Sequence, residues 1–465
     1  MRIAVMGTGY VGLVCAACFS SLGHEVTGVD SDGRKIARLR AGRIPIFEPG
    51  LDRLVAEQSR AGRLRFTTDL GAAVPNADVV FITVGTPPGP EGQADLSFIY
   101  QCAAVLARYL RGYTVVATKS TVPLGTGEEI EAIIRRQSPE GAFSVVSNPE
   151  FLREGAAIED FLHPDRIVVG SEDERSRATM MCLYEGFAER DVPIVVTNRR
   201  TAELIKYASN AFLATKIAFM GEIADLCEKS GADVEQVAHG MGLDQRIGAK
   251  FLHAGPGYGG SCFPKDALAL VATARQFGTQ PRIVPTVIEA NESRKRSMAD
   301  RIVEACGDSV RNKRIAVLGL TFKSGTDDVR EAPSLAIVPR LEAMGARVTA
   351  YDPAGMKQAR TALPQLRTAS DPYACARNAD AVVILTEWEE FKRLDLARLK
   401  DELHTPSMID LRNIFRPEIA ARHGFAYTSI GRPRRTTAAE PAREERAVPS
   451  EPHAGSAAAR KAQLT

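Results

Sequence analysis

The sequence predicts an α/β protein with two Rossmann-like, doubly wound domains, joined by an all-α connector built on a long helix and followed by a disordered C-terminal tail. Three observations carry this. A strand, a glycine turn and a helix open the chain, and strand and helix patterns then alternate for about two hundred residues, as a parallel sheet covered on both faces requires. From Thr201 to Ser230 the apolar period is helical without a break. From Lys313 the opening motif returns in degraded form and in the same order.

In chain order, Arg2–Met6 is an apolar run ending in Gly7-Thr8-Gly9-Tyr10-Val11-Gly12, and Leu13–Leu22 reads as a helix stopped by Gly23. Strands are expected at Glu25–Val29, Leu64–Thr67, Ala77–Val84, Thr114–Thr118, Phe143–Val146 and Arg166–Val169. These make a first domain of residues 1–200. The connector, 201–305, holds Leu204, Ala208, Phe212 and Leu226 on its long helix and a second helix over Val284–Ala305. A helix of that length usually buries a face against another domain or another subunit. In the third part, 306–430, Lys313–Gly319 echoes Met1–Gly7, Arg347–Asp352 echoes Glu25–Asp30, and Asn378–Val383 echoes Asn76–Phe81. Its loop, Gly319-Leu320-Thr321-Phe322-Lys323, lacks the second and third glycines, so a dinucleotide is not expected there, although another phosphate ligand is compatible with that strand end. Residues 431–465 are rich in Pro, Ala, Arg and Glu with almost no large apolar side chain, and are expected to be disordered.

Composition narrows the function. Of 465 residues 45% are hydrophobic and 25% charged, with a formal net charge of +2, which suits a soluble globular protein and offers no basic surplus for nucleic acid. The cysteines at 15, 18, 102, 182, 227, 262, 306 and 375 show no metal-ligand or CxxC spacing, so no metal is expected and reduced thiols are. There is no membrane-length apolar run, and the first strand begins at Arg2 with no basic leader, which predicts a cytoplasmic protein.

The glycine loop gains meaning from its context. It follows a strand, opens a helix, and has Asp30 at the end of the next strand, eighteen residues past Gly12. That is the arrangement that holds a dinucleotide pyrophosphate on Gly7, Gly9, Val11 and Gly12 and the ribose hydroxyls on Asp30. A carboxylate at that point repels a 2′-phosphate, so NAD is expected over NADP. Asp30 can also cap the segment after Ser31, and Lys35 lies within reach of an adenosine hydroxyl or of solvent.

Gly255-Pro256-Gly257-Tyr258-Gly259-Gly260-Ser261-Cys262-Phe263-Pro264-Lys265-Asp266 is the most informative stretch. Its glycines allow the backbone to approach a ligand, and Pro264 suits the first position of a helix running to about Phe277. Cys262 then stands at a helix N-terminus beside Lys265, where dipole and charge are expected to lower the thiol pKa, while Cys15, Cys18 and Cys227 read as buried packing residues. Alcohol oxidation by NAD needs no thiol. Carrying an aldehyde on to an acid does, because the thiohemiacetal offers a second hydride and the thioester can be hydrolysed. One NAD site with a nucleophilic cysteine predicts a four-electron oxidation.

Taken with Val84-Gly85-Thr86-Pro87, Lys119–Pro123, Asn148–Gly155, Asp244–Gly248, and Phe322-Lys323 with Arg330, these motifs resemble the UDP-glucose/GDP-mannose dehydrogenase family, from Met1 to about residue 430. The resemblance implies oxidation of UDP-glucose to UDP-glucuronate with two NAD, by an NAD domain, a helical dimer core and a C-terminal domain that binds the nucleotide sugar. It implies Cys262 as nucleophile, Lys206 and Asn210 as oxyanion donors, and Asp266, Glu150 and Thr121 around the hydrolytic water. Thr86, Thr121, Glu154, Lys265 and Arg330 are implied to touch NAD. The implied sugar-nucleotide site comprises Glu150, Phe151, Leu152, Arg153, Glu154, Lys206, Asn210, Phe251, Leu252, His253, Ala254, Gly255, Gly259 and Lys323, with Arg246 reaching the substrate of a partner subunit. At His253 some relatives carry a lysine.

Each assignment has a plainer competitor. Lys206 with Glu203, and Arg153 with Glu150 or Glu154, would also serve as ordinary surface ion pairs. Asn210 is a poor mid-helix residue, which argues for a purpose. Competing functions are another nucleotide-sugar dehydrogenase such as one for GDP-mannose, a two-electron hydroxyacid dehydrogenase that would not need Cys262, and a non-catalytic nucleotide-sugar or NAD sensor. Counting NADH per UDP-glucose separates them.

Overall fold

The computed structural model describes residues 1–89 and 92–433, so the expectation of a disordered segment at 431–465 lies almost wholly outside the described residues. Two sheets form the frame. The first contains β1 (Arg2–Met6), β2 (Glu25–Val29), β3 (Leu64–Thr67), β4 (Val79–Ile82), β5 (Thr114–Thr118), β6 (Phe143–Ser147), β7 (Ile167–Gly170) and β8 (Ile194–Thr197), in the order β3-β2-β1-β4-β5-β6-β7-β8. The second contains β9 (Arg314–Leu318), β10 (Arg347–Tyr351), β11 (Arg367–Thr368), β12 (Ala381–Ile384), β13 (Ser407–Asp410) and β14 (Ala426–Ser429), in the order β11-β10-β9-β12-β13-β14. The first six strands of each sheet therefore follow one plan.

Alternation builds both cores. Val5, Phe81 and Val115 pack on one face of the first sheet, where Phe19 stacks on Phe81 at 5.1 Å, while Ala4, Val80 and Val116 pack on the other. In the second sheet Val317 and Val383 take one face and Ala316 and Val382 the other. Both faces being covered is what a doubly wound sheet demands.

Two departures from expectation concern the first sheet. It is not wholly parallel: β6 meets β7 antiparallel at Ser147 and Gly170. The intervening residues 148–166 hold only the six-residue helix Ala157–Leu162, not the longer crossover helix of a parallel return. The edge strand β8 was not expected, because it is short and its Val195 and Val196 are exposed.

The long helix runs Arg199–Ser230, about 48 Å at 1.5 Å per residue, two residues earlier than its apolar period indicates. Asn198 caps it by accepting from the Thr201 N–H at 2.7 Å, and Gly231, at φ 84°, ends it. Its first turns lie on β7 because Gly170 has no side chain; a Cβ there would sit 2.6 Å from that of Ala202. The helices Phe263–Gln276 and Ile283–Ala305 pack against it. Among the described residues no helix is long and apolar enough to cross a membrane, and no group of His, Cys, Asp and Glu is placed to hold a metal ion.

Candidate active site

At the carboxyl end of β1 the glycine loop is held by Thr83, whose hydroxyl donates to the carbonyls of Met6 and Gly7, both at 2.8 Å. Gly7 adopts φ +96° and Gly12 packs so tightly that a Cβ would lie 1.9 Å from the Gly7 oxygen, so both must be glycine. Gly9 faces open space and begins the helix Tyr10–Ser21 with no side chain capping its N–H groups. A close-packed glycine turn at a helix N-terminus that no side chain caps fits a dinucleotide pyrophosphate. Val11 lies in the first turn of that helix.

Asp30 stands beside it, accepting from the Thr8 N–H and hydroxyl at 2.9 Å and from Lys35 Nζ at 2.7 Å. Burial raises its pKa, but these donors, Lys35 foremost, outweigh burial and hold the carboxyl below its usual range. One expectation changes here. The helix Gly33–Arg40 is capped by Asp32, which accepts from the Arg34 and Lys35 N–H groups, and not by Asp30. The Lys35 side chain is bound to Asp30, next to the carboxylate expected to hold the ribose.

The thiol region lies where the first sheet, the long helix and the cysteine helix meet. Lys206 and Asn210 are both buried on one face of the long helix. Lys206 Nζ approaches Glu150 Oε1 at 3.3 Å and sits 5.2 Å from the Phe151 ring centre; Asn210 Nδ2 donates to Asp266 Oδ2 at 2.7 Å. Glu150 is fixed in turn by the Leu152 N–H at 2.5 Å, and Asp266, 1% exposed, also receives Lys265 Nζ at 2.7 Å. Burial lowers the Lys206 pKa, but the carboxylates of Glu150, foremost, and Asp266 outweigh it and hold the pKa above normal. It is an ammonium. The pairing with Glu203 does not form, because Glu203 accepts instead from the Gly125 and Gly127 N–H groups and the Ser147 hydroxyl.

Cys262 is the N-terminal boundary residue of the helix Phe263–Gln276, one residue ahead of the start expected from Pro264. Its thiol is not acidic at rest, contrary to expectation. Burial pushes it up to about 11, against the lowering effect of Lys206, and Glu150 and Asp266 push the same way as burial. The cation that acts on the sulfur is Lys206; Lys265 is spent on Asp266. Ser261 Oγ lies 3.6 Å from the sulfur.

The glycines before Cys262 also do something other than expected. A Cβ at Gly257 would meet Asn291 Oδ1 at 2.9 Å, at Gly259 the Glu331 oxygen at 2.3 Å, and at Gly260 the Phe322 ring at 2.8 Å. The missing side chains let neighbouring protein approach, clamping the loop between the helix Ile283–Ala305 and the loop after β9. Gly255 is the exception in degree, with Arg412 Nη1 3.3 Å from where its Cβ would be, while its carbonyl accepts from Arg294 Nε at 2.6 Å. Leu252 and Ala254 are buried, His253 is exposed, and Phe251 adopts φ +67°.

Remaining predicted residues divide into those near and those apart. Thr86 donates to the Thr121 carbonyl at 3.0 Å, joining two loops at the cofactor end. Arg166 covers the Phe151 ring at 3.5 Å. Arg153 pairs with Asp160, at 2.6 Å, and with neither Glu150 nor Glu154. Glu154 reaches across the cleft, accepting from Thr326 Oγ1 at 3.1 Å and Ser261 Oγ at 3.4 Å, with Arg330 Nη2 3.5 Å away. Burial chiefly, and then Asp328, push its carboxyl up to about 7. Arg330 is mainly bidentate on Asp328. Lys323 sits over Phe322 with its pKa lowered by burial. Beside this contact Gly155 and Gly325 pass so closely that a Cβ on Gly155 would lie 2.5 Å from the Gly325 oxygen. Arg246 is brought to none of these groups: it is exposed and bidentate on Asp244.

Sequence reasoning missed Thr326, Asp328 and Arg412. Arg412 donates to the carbonyls of Phe322 and Leu385, both at 2.8 Å, and so holds the loop that closes on the thiol segment. It is a lone arginine between hydrophobic runs, and nothing in its neighbours signals that task.

Comparison with known proteins agrees with this arrangement. Residues 1–188 match the NAD binding domain of the UDP-glucose/GDP-mannose dehydrogenase family, 200–293 its central domain and 316–417 its UDP binding domain. A UDP-glucose 6-dehydrogenase of Rhizobium meliloti (strain 1021) is 57% identical over 436 residues, covering 93% of this chain and 100% of its own. UDP-glucose 6-dehydrogenase TuaD of Bacillus subtilis (strain 168) is 46% identical over 434 residues, 93% of each chain. The solved structure of a UDP-glucose dehydrogenase from the hyperthermophilic archaeon Pyrobaculum islandicum has a TM-score of 0.85 and 39% identity, across 92% of this chain and 96% of that one.

Proposed function

The chain belongs to the UDP-glucose/GDP-mannose dehydrogenase family, and on that premise we propose that it oxidises UDP-glucose to UDP-glucuronate, consuming two NAD and one water per sugar. The observation that carries this is the joining of Cys262, Lys206, Glu150, Asn210 and Asp266 in one buried cluster. A two-electron hydroxyacid dehydrogenase or a non-catalytic sensor has no use for it. Conversely, 57% identity to a UDP-glucose 6-dehydrogenase favours UDP-glucose over GDP-mannose.

NAD would supply the hydride acceptor, a fresh molecule for each of the two oxidations at C6. Gly7, Gly9, Val11 and Gly12 would hold its pyrophosphate and Asp30 its adenosine ribose, with Lys35, Thr86, Thr121, Glu154, Lys265 and Arg330 closing around the rest. Phe151, Leu152, Arg153, the segment 251–255, Gly259 and Lys323 receive the sugar nucleotide, and Glu150, Glu154, Lys206 and Asn210 surround its sugar end.

The C6 alcohol becomes an aldehyde by losing a hydride from carbon and a proton from oxygen, the proton passing to the carboxylates of Glu150 and Asp266. Lys206 and Asn210 donate to that oxygen, and the ammonium stabilises its negative charge each time it appears. Cys262 adds its sulfur to the aldehyde carbon, and the thiol proton passes to the aldehyde oxygen as the C–S bond forms. With the thiol pushed up to about 11, it is the approach of the carbonyl to Lys206, and not a standing thiolate, that drives this addition. Loss of the second hydride leaves a thioester. Water, ordered by Thr121 and deprotonated between Glu150 and Asp266, adds to its carbon, and the C–S bond breaks to return the thiol and release the acid. Free aldehyde never leaves. Two NADH per UDP-glucose is the test; a ratio of one, or turnover of GDP-mannose and not UDP-glucose, sinks the assignment.

We divide the labour among 1–200 for NAD, 201–305 for the connector and dimer core, and 306–430 for the sugar nucleotide. The dimer reading is supported by a stripe of exposed apolar side chains on the long helix, Leu204, Phe212, Phe219 and Leu226, and by a recess of about 340 Å³ lined by Phe219, Ile283 and Val287. In such a dimer Arg246, free of its own cleft, would reach the partner's substrate. Free cysteines suit a cytoplasmic location. Sedimentation of Phe212→Asp checks the dimer: it should run as a monomer.

A further inference from the structure

Nothing above uses the amino ends of the strands in the second sheet. Arg314 opens β9, Arg347 opens β10 and Arg367 opens β11, and these three strands are neighbours. Arg347 is in register with Arg314, and Arg367 with Thr349, two residues further along β10. Because side chains alternate along a strand, Arg314, Arg347, Thr349 and Arg367 all project from one face. They line a recess of about 270 Å³, with Cys375 and Arg377 forming its far side. Cys375 is buried, with its thiol against the Thr349 carbonyl at 3.2 Å.

Charge is what makes the recess unusual. The guanidinium groups of Arg314, Arg347 and Arg367 are exposed and form no ion pair among the described residues; Arg377 alone has one, with Glu402 at 3.2 Å. Asp380 accepts from the backbone N–H of Arg314 at 2.8 Å and makes no pair with its side chain. Like charges in register on adjacent strands repel, so this cluster stands at a cost that an anion between the arginines would remove. Guanidinium forks match phosphate oxygens two at a time, and three unpaired forks call for several phosphate charges at once. The cleft is not involved, since it lies at the opposite, carboxyl ends of the same strands, where Gly319 and Asp352 stand.

We propose that this recess is a second anion site, built to take a di- or triphosphate chain, either as inorganic polyphosphate or as the phosphates of a free nucleotide. The full-length protein is titrated calorimetrically with inorganic triphosphate and, separately, with ATP. Saturating NADH and UDP-glucose keep the cleft filled, a pair that cannot turn over because the cofactor is already reduced. One saturable site is expected for triphosphate, weakened by added salt. Arg347→Ser and Arg314→Ser should each weaken it about tenfold or more, with Arg347→Lys in between, and kcat and KM for UDP-glucose unchanged. Both arginines are exposed and mutually repelling, so the variants should fold with an unchanged or higher Tm. Equal affinity for triphosphate and ATP means that phosphate alone is read, and tighter ATP means that the nucleoside adds contacts; either upholds the site. Absence of saturable binding, or wild-type affinity in both serine variants, overturns it.

Discussion

In the first sheet the acid that follows the second strand, Asp30, lies half-buried at the mouth of the glycine loop, bonded to Thr8 and Lys35. In the second sheet its counterpart, Asp352, is 1% exposed and consumed from within. It accepts from the Leu320 and Thr321 N–H groups, the Ala354 and Gly355 N–H groups, and Trp388 Nε1, which covers it at 3.2 Å. The loops differ too. Residues 7–9 lead straight into a helix, whereas residues 319–332 intervene before the helix Pro333–Ala343 and carry Phe322, Thr326, Asp328 and Arg330 to the cleft. Identical strand order thus serves two purposes: one half keeps its phosphate cradle open, and the other has sealed the ribose position and lengthened the loop into one wall of a cleft. Topology sets where a ligand lies, and a handful of side chains decides whether one is received.

The largest effect should come from the residue that stands between the halves. Lys206→Ala should lower kcat at least roughly a hundredfold, about 3 kcal/mol, with the UDP-glucose KM changed far less, because its ammonium serves the oxyanion more than the bound substrate. If only KM rises, the cleft uses Lys206 for binding. Next, Asp352→Ala leaves several buried N–H groups unpaired and should cost about 2–4 kcal/mol of stability in denaturant titration, while the NAD KM stays as it was. Asp30→Ala should do the reverse, raising the NAD KM about tenfold and narrowing the preference against NADP with little loss of Tm. A raised NAD KM in Asp352→Ala would break the comparison, since it would give the second half a dinucleotide as well.

The smallest effect concerns the seam. Glu154 is pushed up to about 7, so the folded protein holds this proton more tightly than the unfolded chain does. Its contribution to stability is therefore greatest below the usual carboxylate range and is lost as pH rises to about 7, then level above it. Since Arg330 offsets part of the effect, wild type should lose about a degree or two of Tm across that window relative to Glu154→Gln. Parallel curves for the two proteins would remove the seam from the pH dependence.

How much of this was legible beforehand follows burial. The strands β1 to β6 lie within about two residues of expectation because fully buried parallel strands read as short apolar runs bounded by glycine or turn residues. Edge strands do not: β8 exposes Val195 and Val196, and β11 is two residues long. Cys262 stood out by its glycine loop and helix start and Asn210 by its place in mid-helix, whereas Lys206 was marked only by the family resemblance. The thiol's acidity was misjudged chiefly because burial, which outweighs Lys206, arises only when the chain folds, and because folding brings Glu150 in from a distant part of the sequence to push the same way. Glu154 and Thr326, 172 residues apart, form a contact no local pattern encodes.

One detail of that seam sets a mechanical tolerance for the whole enzyme. At Gly155 and Gly325 the halves are separated by bare backbone, so their fit is governed by clearance instead of attraction. A single added carbon at position 155 would act as a wedge, and with the Gly325 carbonyl in its path the least costly relief is to tilt one lobe away from the other. Such a wedge would be felt at Cys262 without touching it. The enzyme's precision of alignment is then finer than the diameter of one methyl group, and it is kept by what is missing at position 155.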